Sequence, residues 1–556
     1  MSIQVGIDVG GTFTDAVAVL DNCLIAKVKV PTETDRLLGT ILSALDGLKI
    51  QNSQSVKSIT VGTTLVTNAI LQQNLRPVEL LLFPGSGISL ESFTWPVTYQ
   101  KLTGELDYRG REIQPPDELE WYRLAQRLKK EPFRRHLAIV GKFSHRNKQH
   151  EERLASFLRQ HCSQVEIALG HHWGQANFYR RSLTTYLDFA TLELFRRFTA
   201  DLHAAVATRG YSAPVYLLKT DGGMVPLRKI RPVESIYSGP AASILGAMAQ
   251  NQTGQSYVVI DVGGTTTDIG LVLSGHPLLS SKGAKIGEFS TLVRSLAVRS
   301  VPIGADSKIV RDGDTFRLSH FRSGPAYCLG GDDPTPTDAM CYLDLVNFGS
   351  KLKAEEGLAK LVPTGQHQSY NLRRLAEEIL DLMANEIALA TEDLEREWRE
   401  EPAYKIWEVL HHSDTLRIQV WASGGGAQGI APNLAKRLRV PVQLGNHPEA
   451  SNAIGAAFAR PTFSTTLHLD TYLNHFSIEE SGEQGEWRGS SRVQKEVDAF
   501  LLEIFQARAL DMGIDDREMV REQFDFYPIV QDFETVGQIV RGAIHIPPGV
   551  SGRIRE

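Results

Sequence analysis

IQVGIDVGGTFTDAVAVL at residues 3–20 and YVVIDVGGTTTDIGLVL at residues 257–273 are two copies of one motif, and the octets DVGGTFTD and DVGGTTTD within them differ at one position. Each copy runs from a β-branched segment into an Asp, two glycines, a threonine-rich run, a second Asp and another alternating apolar segment. Alternation with a period of two marks a strand, so each copy predicts a hairpin. In a Walker A or dinucleotide-binding loop the glycines would open a helix, whereas AVAVL and IGLVL favour strand. Glycine lets a backbone approach a ligand with no side chain in the way. The N–H groups of Gly10 and Gly11, and of Gly263 and Gly264, are then placed to face anionic oxygens, with the hydroxyls of Thr12, Thr14, Thr265 and Thr266 as further donors. Asp8 and Asp261 end the leading strands, where a carboxylate suits hydrated Mg2+. One copy alone reads equally well as a tight turn. Two near-identical copies, about half a chain apart, read as a phosphate clamp. Asp15 and Asp268 close the octets and suit either a general base or a bond to their own turns.

A third element lies late in the chain. RIQVWASGGGAQG at residues 417–429, followed by APNLAKRL and VPVQL, has the order strand, glycine turn, helix, strand. Gly424, Gly426 and Gly429 satisfy GxGxxG, and Glu449 follows about twenty residues on, as a dinucleotide site would have it. That reading leaves the duplicated hairpins unexplained. The favoured one lays Gly424, Gly425 and Gly426 flat beneath an adenine and ribose, where side chains would collide with the base.

The chain's 556 residues exceed what one hydrophobic core organises and imply two or three domains. Its 59 basic against 65 acidic residues leave a net charge of −6, which gives no basic excess for nucleic acid. The opening MSIQVGIDVGG runs directly into a strand with no signal-peptide pattern, and no apolar run approaches the ~18 residues that cross a bilayer. The expectation is a cytoplasmic chain with no membrane partner. Cys23, Cys162, Cys328 and Cys341 are widely spaced and read as buried thiols.

Two hairpins and a late glycine turn resemble the phosphate and adenosine motifs of the actin, hexokinase and heat-shock ATPase superfamily. VGTTLVTNAIL (61–71), LLKTDGGMVPL (217–227), IYSGPAASILGA (236–247), VPIGADSK (301–308), SGPAYCLGGDDPTPTDA (323–339) and ASNAIGAAFA (450–459) narrow the resemblance to the hydantoinase A and 5-oxoprolinase family, whose relatives include acetone and acetophenone carboxylase subunits. The resemblance implies an α/β fold of two RNase H-like domains flanking a nucleotide cleft, with ATP and Mg2+ as cofactors. It implies phosphorylation of the carbonyl oxygen of a cyclic amide such as a hydantoin or 5-oxoproline, or of an enol or related oxygen in the carboxylases. A hydantoinase B-type subunit is the implied partner; a homo-oligomer and a non-enzymatic, actin-like ATPase are the alternatives kept open. The sequence departs from the family at LLLFPGSGISLESF (80–93) and GHHWGQ (170–175), both expected near the substrate, and after residue 460, where the terminal phrase of the family is missing.

Thr63, Thr64 and Asn68 form a polar turn before an apolar helix and suit either a cap or a substrate contact. Asp221, before two glycines, suits a hairpin turn or a substrate contact. In the Gly-, Pro- and Asp-rich run 300–338, Asp306 and Asp338 are the residues expected to reach the cleft. His171 and His172 read as packing rather than as metal ligands. Residues 371–399 predict a long amphipathic helix. The charges around residue 133 and the polar stretch 479–493 read as surface or linker, the latter as a domain boundary. The expected divisions are 1–185, 186–465 and a C-terminal module at 466–556, with the second half taking over near residue 230.

Overall fold

Both copies of the motif fold as antiparallel hairpins in equivalent register. Ile3–Val9 pairs with Phe13–Leu20 so that Asp8 lies opposite Asp15, and Tyr257–Val262 pairs with Thr267–Leu273 so that Asp261 lies opposite Asp268. The computed structural model describes residues 2–555 apart from 34–35, 131–134, 163, 252–253, 314, 363–370, 401–418, 490–493 and 516–517. The charges around residue 133, the first two residues of the late glycine motif and the end of 479–493 lie outside the described residues.

Each hairpin nucleates a sheet of one topology. In the first, Cys23–Pro31 continues the antiparallel meander on one side, while Val56–Thr63 and Val215–Leu218 add in parallel on the other and Met224–Pro226 closes the edge. In the second, His276–Pro277 and Val298–Val301 both pair with Thr267–Leu273, while Gln419–Ser423 and Val442–Leu444 add in parallel. Strands buried on both faces need continuous apolar sequence, which YVVI and IQVGI supply. The fold is thus α/β with two RNase H-like halves, as the sequence implies. A division after residue 185 would cut the helix Phe178–Thr208 and strip the strands at 215–226 from the first sheet; the chain leaves that sheet at Pro226 and enters the second at Tyr257.

The long helix Leu372–Glu400 buries Leu375, Ile379, Met383 and Ile387 against the second sheet, the spacing of three and four that predicts it. A four-stranded parallel sheet, in the order Val165–Leu169, Arg135–Gly141, Glu79–Phe83, Tyr99–Lys101, is inserted in the first half. A C-terminal antiparallel sheet begins at Phe463 and packs on the helix Gln494–Asp511. The stretch expected as a boundary is part of this module: Gln484–Glu486 pairs with His475–Ile478.

GHHWGQ does not line the cleft. A Cβ on Gly174 would meet the Glu479 carbonyl oxygen at 2.8 Å, and one on Gly482 would overlap the His171 carbonyl oxygen, so this segment packs on the C-terminal module. His171 is buried with Nδ1 2.7 Å from Glu151, as packing and hydrogen bonding require. Cys162, Cys328 and Cys341 are buried free thiols, whereas Cys23 is exposed because it sits on the edge strand Cys23–Pro31.

Candidate functional site

The two hairpins meet at one side chain. Asn452, at the start of the helix Ser451–Phe458, donates from Nδ2 to Asp8 Oδ2 at 3.2 Å and to Asp261 Oδ2 at 3.0 Å. Ser243, on the helix Ser238–Gln250, donates to the same Asp261 oxygen at 2.6 Å. These helices lie between the two sheets because their facing residues are minimal. A Cβ on Gly455 would overlap the Ala242 carbonyl oxygen, one on Gly246 the Ser451 carbonyl oxygen, and one on Gly6 the Ala453 carbonyl oxygen. Small residues therefore set the distance at which the carboxylates converge.

The tips of the hairpins correct one expectation. The Gly10 amide closes its own turn on the Phe13 carbonyl at 3.1 Å, and the Gly263 amide does the same on Thr266 at 3.0 Å. Gly11 and Gly264 remain as the glycine amides with no carbonyl acceptor among the described backbone bonds. Thr12 and Thr265 stand beside them, Thr265 exposed, and Thr266 is half-buried. Thr14 is removed from the set: it is fully buried and bonds Thr32 Oγ1 at 3.0 Å, because strand parity turns it into the sheet. Its counterpart Thr267 likewise donates to the Ile303 carbonyl.

The late glycine turn joins the second hairpin directly. Gly424 has φ +91°, a Cβ there would overlap Asp261 Oδ1, and the Gly426 amide donates to the Val262 carbonyl at 3.0 Å. Among the described residues, nothing lies within 4 Å of a Cβ on Gly425, leaving that face of the turn open. Gly429 instead packs on Met340, so the third glycine of the apparent GxGxxG serves helix packing.

Asp306 also belongs here. Its amide and that of Ala305 donate to the carbonyls of Gly264 and Gly263, and its carboxylate takes Thr337 Oγ1 at 3.0 Å and Arg322 at 3.0 Å. Arg322 reaches the first hairpin as well, donating to Thr12 Oγ1 at 2.8 Å. Asp338, in contrast, is a buried cap whose carboxylate takes the amides of Tyr327, Cys328 and Thr335. Asp221 is likewise buried in its own turn, bonded to the Gly223 amide, Lys219 and Thr462. Thr63 Oγ1 accepts from the Leu65 amide and Asn68 donates to Thr64 Oγ1, so both sides of that turn hold the following helix.

Burial dominates the electrostatics. Asp8 is pushed up to about 7 by desolvation, reinforced by Asp15 and Asp261 and opposed by the Asn452 bond. Asp268 rises to about 7 for the same first reason. Asp15 rises less, because Lys29 bonds both its oxygens at 3.0 Å. Asp8 Oδ1, Asp268 Oδ1, Ser423 Oγ and Arg322 Nε are buried polar atoms with no partner among the described residues, and all four belong to this site. Buried polar groups are rarely left unpaired. No group of three His, Cys, Asp or Glu side chains forms a metal site among the described residues. Mg2+ beside a nucleotide needs only one or two carboxylates, the remaining ligands being phosphate and water. Asp8 and Asp261 fit that requirement.

Beside the clamp lies a cavity of about 470 Å3 lined by Thr220, Tyr237, Ser295, Ser300 and Trp398 among others. Ser300 lies opposite Asp268 in the sheet and lines the cavity, linking cavity and clamp. Tyr237 adopts φ +52°, held by a bond from its amide to Thr67 Oγ1. Sequence reasoning missed Asn452, Ser243 and Arg322 as site residues; Asn452 and Ser243 sit inside phrases quoted for the resemblance, and Arg322 lies in a loop with no pattern of its own.

A hydantoinase/oxoprolinase profile matches residues 181–465, and the profile for the N-terminal region of that family matches residues 4–162. The chain is 25% identical over 441 residues to an uncharacterised protein of Methanocaldococcus jannaschii, covering 71% of this chain and 62% of the other. It is 26% identical over 419 residues to the acetophenone carboxylase gamma subunit of Aromatoleum aromaticum, covering 65% and 57%. It is 25% identical over 389 residues to the caprolactamase alpha subunit of Pseudomonas jessenii, covering 63% and 55%. The matches thus span about three fifths of the length of these relatives. Among solved structures, nucleotide-free acetone carboxylase superposes with a TM-score of 0.74 at 15% identity, covering 100% of this chain and 89% of the other. The ATP-dependent caprolactamase of Pseudomonas jessenii superposes with a TM-score of 0.68 at 19% identity, covering 98% and 88%. With two RNase H-like halves, paired hairpins and both profiles matched, the chain belongs to the hydantoinase/oxoprolinase family.

Proposed function

We propose that this chain is an ATP-dependent hydrolase subunit acting on a cyclic amide of the hydantoin or 5-oxoproline type, through phosphorylation of the carbonyl oxygen. The carrying observation is Asn452, whose single amide nitrogen holds Asp8 and Asp261, one from each copy of the motif. Bound Mg-ATP supplies the phosphoryl group that turns a poor amide leaving oxygen into a good one. Asp8 and Asp261 would hold the hydrated cation. The amides of Gly11 and Gly264, with the hydroxyls of Thr12, Thr265 and Thr266, would orient phosphate oxygens. The open face at Gly425, between Gly424 and Gly426, would receive the adenosine. Tyr237, Thr220 and Ser300 would position the ring in the adjoining cavity. Asp268, kept protonated near neutrality by burial and joined to that cavity through Ser300, suits proton transfer better than Asp15, which Lys29 holds. A B-type subunit is the proposed partner, since the curated relatives are themselves described as subunits.

The test is phosphate release by the purified chain with Mg-ATP, alone and with 5-oxoproline, hydantoins and small ketones. Stimulation by one cyclic amide, lost by about 100-fold or more in Asp8→Ala and Asp261→Ala, is the expected result. Absence of turnover with every compound, with and without a B-type subunit, would sink it. Similarity to an acetophenone carboxylase subunit favours a second reading, an ATP-dependent carboxylase subunit. Stimulation by a ketone instead of an amide would select that one.

A further inference from the structure

We infer that Arg322 is the cation with which this clamp binds the terminal phosphate of a nucleoside triphosphate, and that Asp306 competes with that phosphate for it. The inference rests on the reading of the hairpins as a phosphate clamp and adds to it a residue outside every motif.

Asp8, Asp15, Asp261, Asp268 and Asp306 surround the hairpin tips, so a polyanion placed there meets five carboxyl groups, of which Asp8 and Asp268 are only partly ionised near neutrality. A divalent cation offsets part of this repulsion, and neutral amides and hydroxyls offset little more. Among the described residues, the positively charged side chains bonded to these tips or carboxylates are Lys29 and Arg322. Lys29 is held by both oxygens of Asp15 on the edge strand. Arg322 stands between the two tips. One of its terminal nitrogens donates to Thr12 in the first hairpin at 2.8 Å, and the other to Asp306 Oδ2 at 3.0 Å. Asp306 is itself fixed to the second hairpin through its amide on Gly264, and Thr337 holds its other carboxylate oxygen. The guanidinium therefore bridges both proposed phosphate loops while its Nε hydrogen has no acceptor among the described residues. Its side chain is 21% exposed, so the charge is neither free in water nor sealed inside.

A planar guanidinium presents five donors in a fork that suits phosphate oxygens, and charge-assisted bonds of this kind are about twice as strong as neutral ones. Phosphate oxygens between Gly11 and Gly264 would compete for the donors that Asp306 and Thr12 now accept. Asp306 thus positions the guanidinium and also opposes its transfer, which gives the two residues opposite signs in a binding experiment.

The experiment is calorimetric titration of the wild-type chain, Arg322→Ala, Arg322→Lys and Asp306→Asn with Mg-ATP, Mg-ADP and AMP, with circular dichroism melts as the control for folding. Arg322→Ala is expected to weaken Mg-ATP by about 10- to 100-fold, Mg-ADP less, and AMP not at all, with Arg322→Lys between. Asp306→Asn is expected to tighten Mg-ATP several-fold, a gain that no merely structural role produces. Equal loss for all three nucleotides in Arg322→Ala, or weaker Mg-ATP binding in Asp306→Asn, overturns the inference while leaving the clamp intact. If Arg322→Ala does not fold, the signs of Arg322→Lys and Asp306→Asn still decide. No binding of Mg-ATP by the wild-type chain overturns both the inference and the reading beneath it.

Discussion

At the scale of single residues, the site is a set of carboxyl groups held where water cannot stabilise their charge. Asp8 and Asp261 are 6% and 7% exposed, and the amide of Asn452 holds an oxygen of each. Burial raises Asp8 and Asp268 from an ordinary 3.8 to about 7. Between about pH 4 and 7 the folded chain therefore retains protons that the unfolded chain has released. Stability must then be greatest below the unfolded pKa and fall as pH rises through 7. An asparagine imitates the protonated acid at every pH. In nucleotide-free buffer, Asp8→Asn should melt several degrees above the wild type at pH 8, with a clearly smaller gap at pH 5. A cation held by Asp8 and Asp261 would remove the penalty, so Mg-ATP should narrow the gap at pH 8. Melting curves at both pH values check this, and identical shifts at the two would show that Asp8 is ionised in the fold throughout.

At the scale of elements, the hairpins were legible because local pattern and tertiary role coincide: strand, glycines, threonine and strand form a hairpin wherever they stand. The roles of individual groups were less legible, since they depend on what packs against the turn. Gly10 and Gly263 close their turns, Thr14 faces the sheet, and Asp221 and Asp338 bond their own backbones. Each has a composition that suits a cleft as well as a turn, and only the neighbours decide. Asn452 was hidden for the opposite reason, being 444 residues from Asp8 and on a helix whose pattern reads as packing alone. The glycines test this distinction between packing and binding. Gly455→Ala places a Cβ on the Ala242 carbonyl oxygen and 2.6 Å from the Gly246 amide, where backbone cannot yield cheaply. It should cost about 1–3 kcal/mol or more, seen as a lowered melting temperature, and loosen the Asp8–Asn452–Asp261 bridge with it. Gly425→Val enters open space and should leave the melt unchanged while weakening nucleotide binding. Unchanged binding in Gly425→Val would remove the adenosine from the glycine turn.

At the scale of the whole molecule, the departures from family pattern fall together in space. GHHWGQ, the inserted parallel sheet and the C-terminal module meet at one interface, where the Gln484 side chain donates to the Ser144 carbonyl and Arg146 to Ser477 Oγ. The family resemblance places GHHWGQ near the substrate, whereas its neighbours in space belong to a module that is itself divergent. The C-terminal module is also held by Arg109, 9% exposed, bonded through Nε and one terminal nitrogen at 2.8 Å to the two oxygens of Asp470, 6% exposed, with the guanidinium 5.0 Å from the Tyr472 ring centre. Removing one member of a buried pair leaves the other charged without its partner, at a cost of about 3–5 kcal/mol. Arg109→Ala should therefore loosen the C-terminal module before the nucleotide halves, whose contacts run through Asn452 and the small-residue helices. Limited proteolysis of the variant should release a fragment beginning near Phe463 sooner than in the wild type, while affinity for Mg-ATP is retained. Loss of Mg-ATP binding in step with cleavage would mean that the module also holds the clamp closed, making the interface part of the site instead of a support for it.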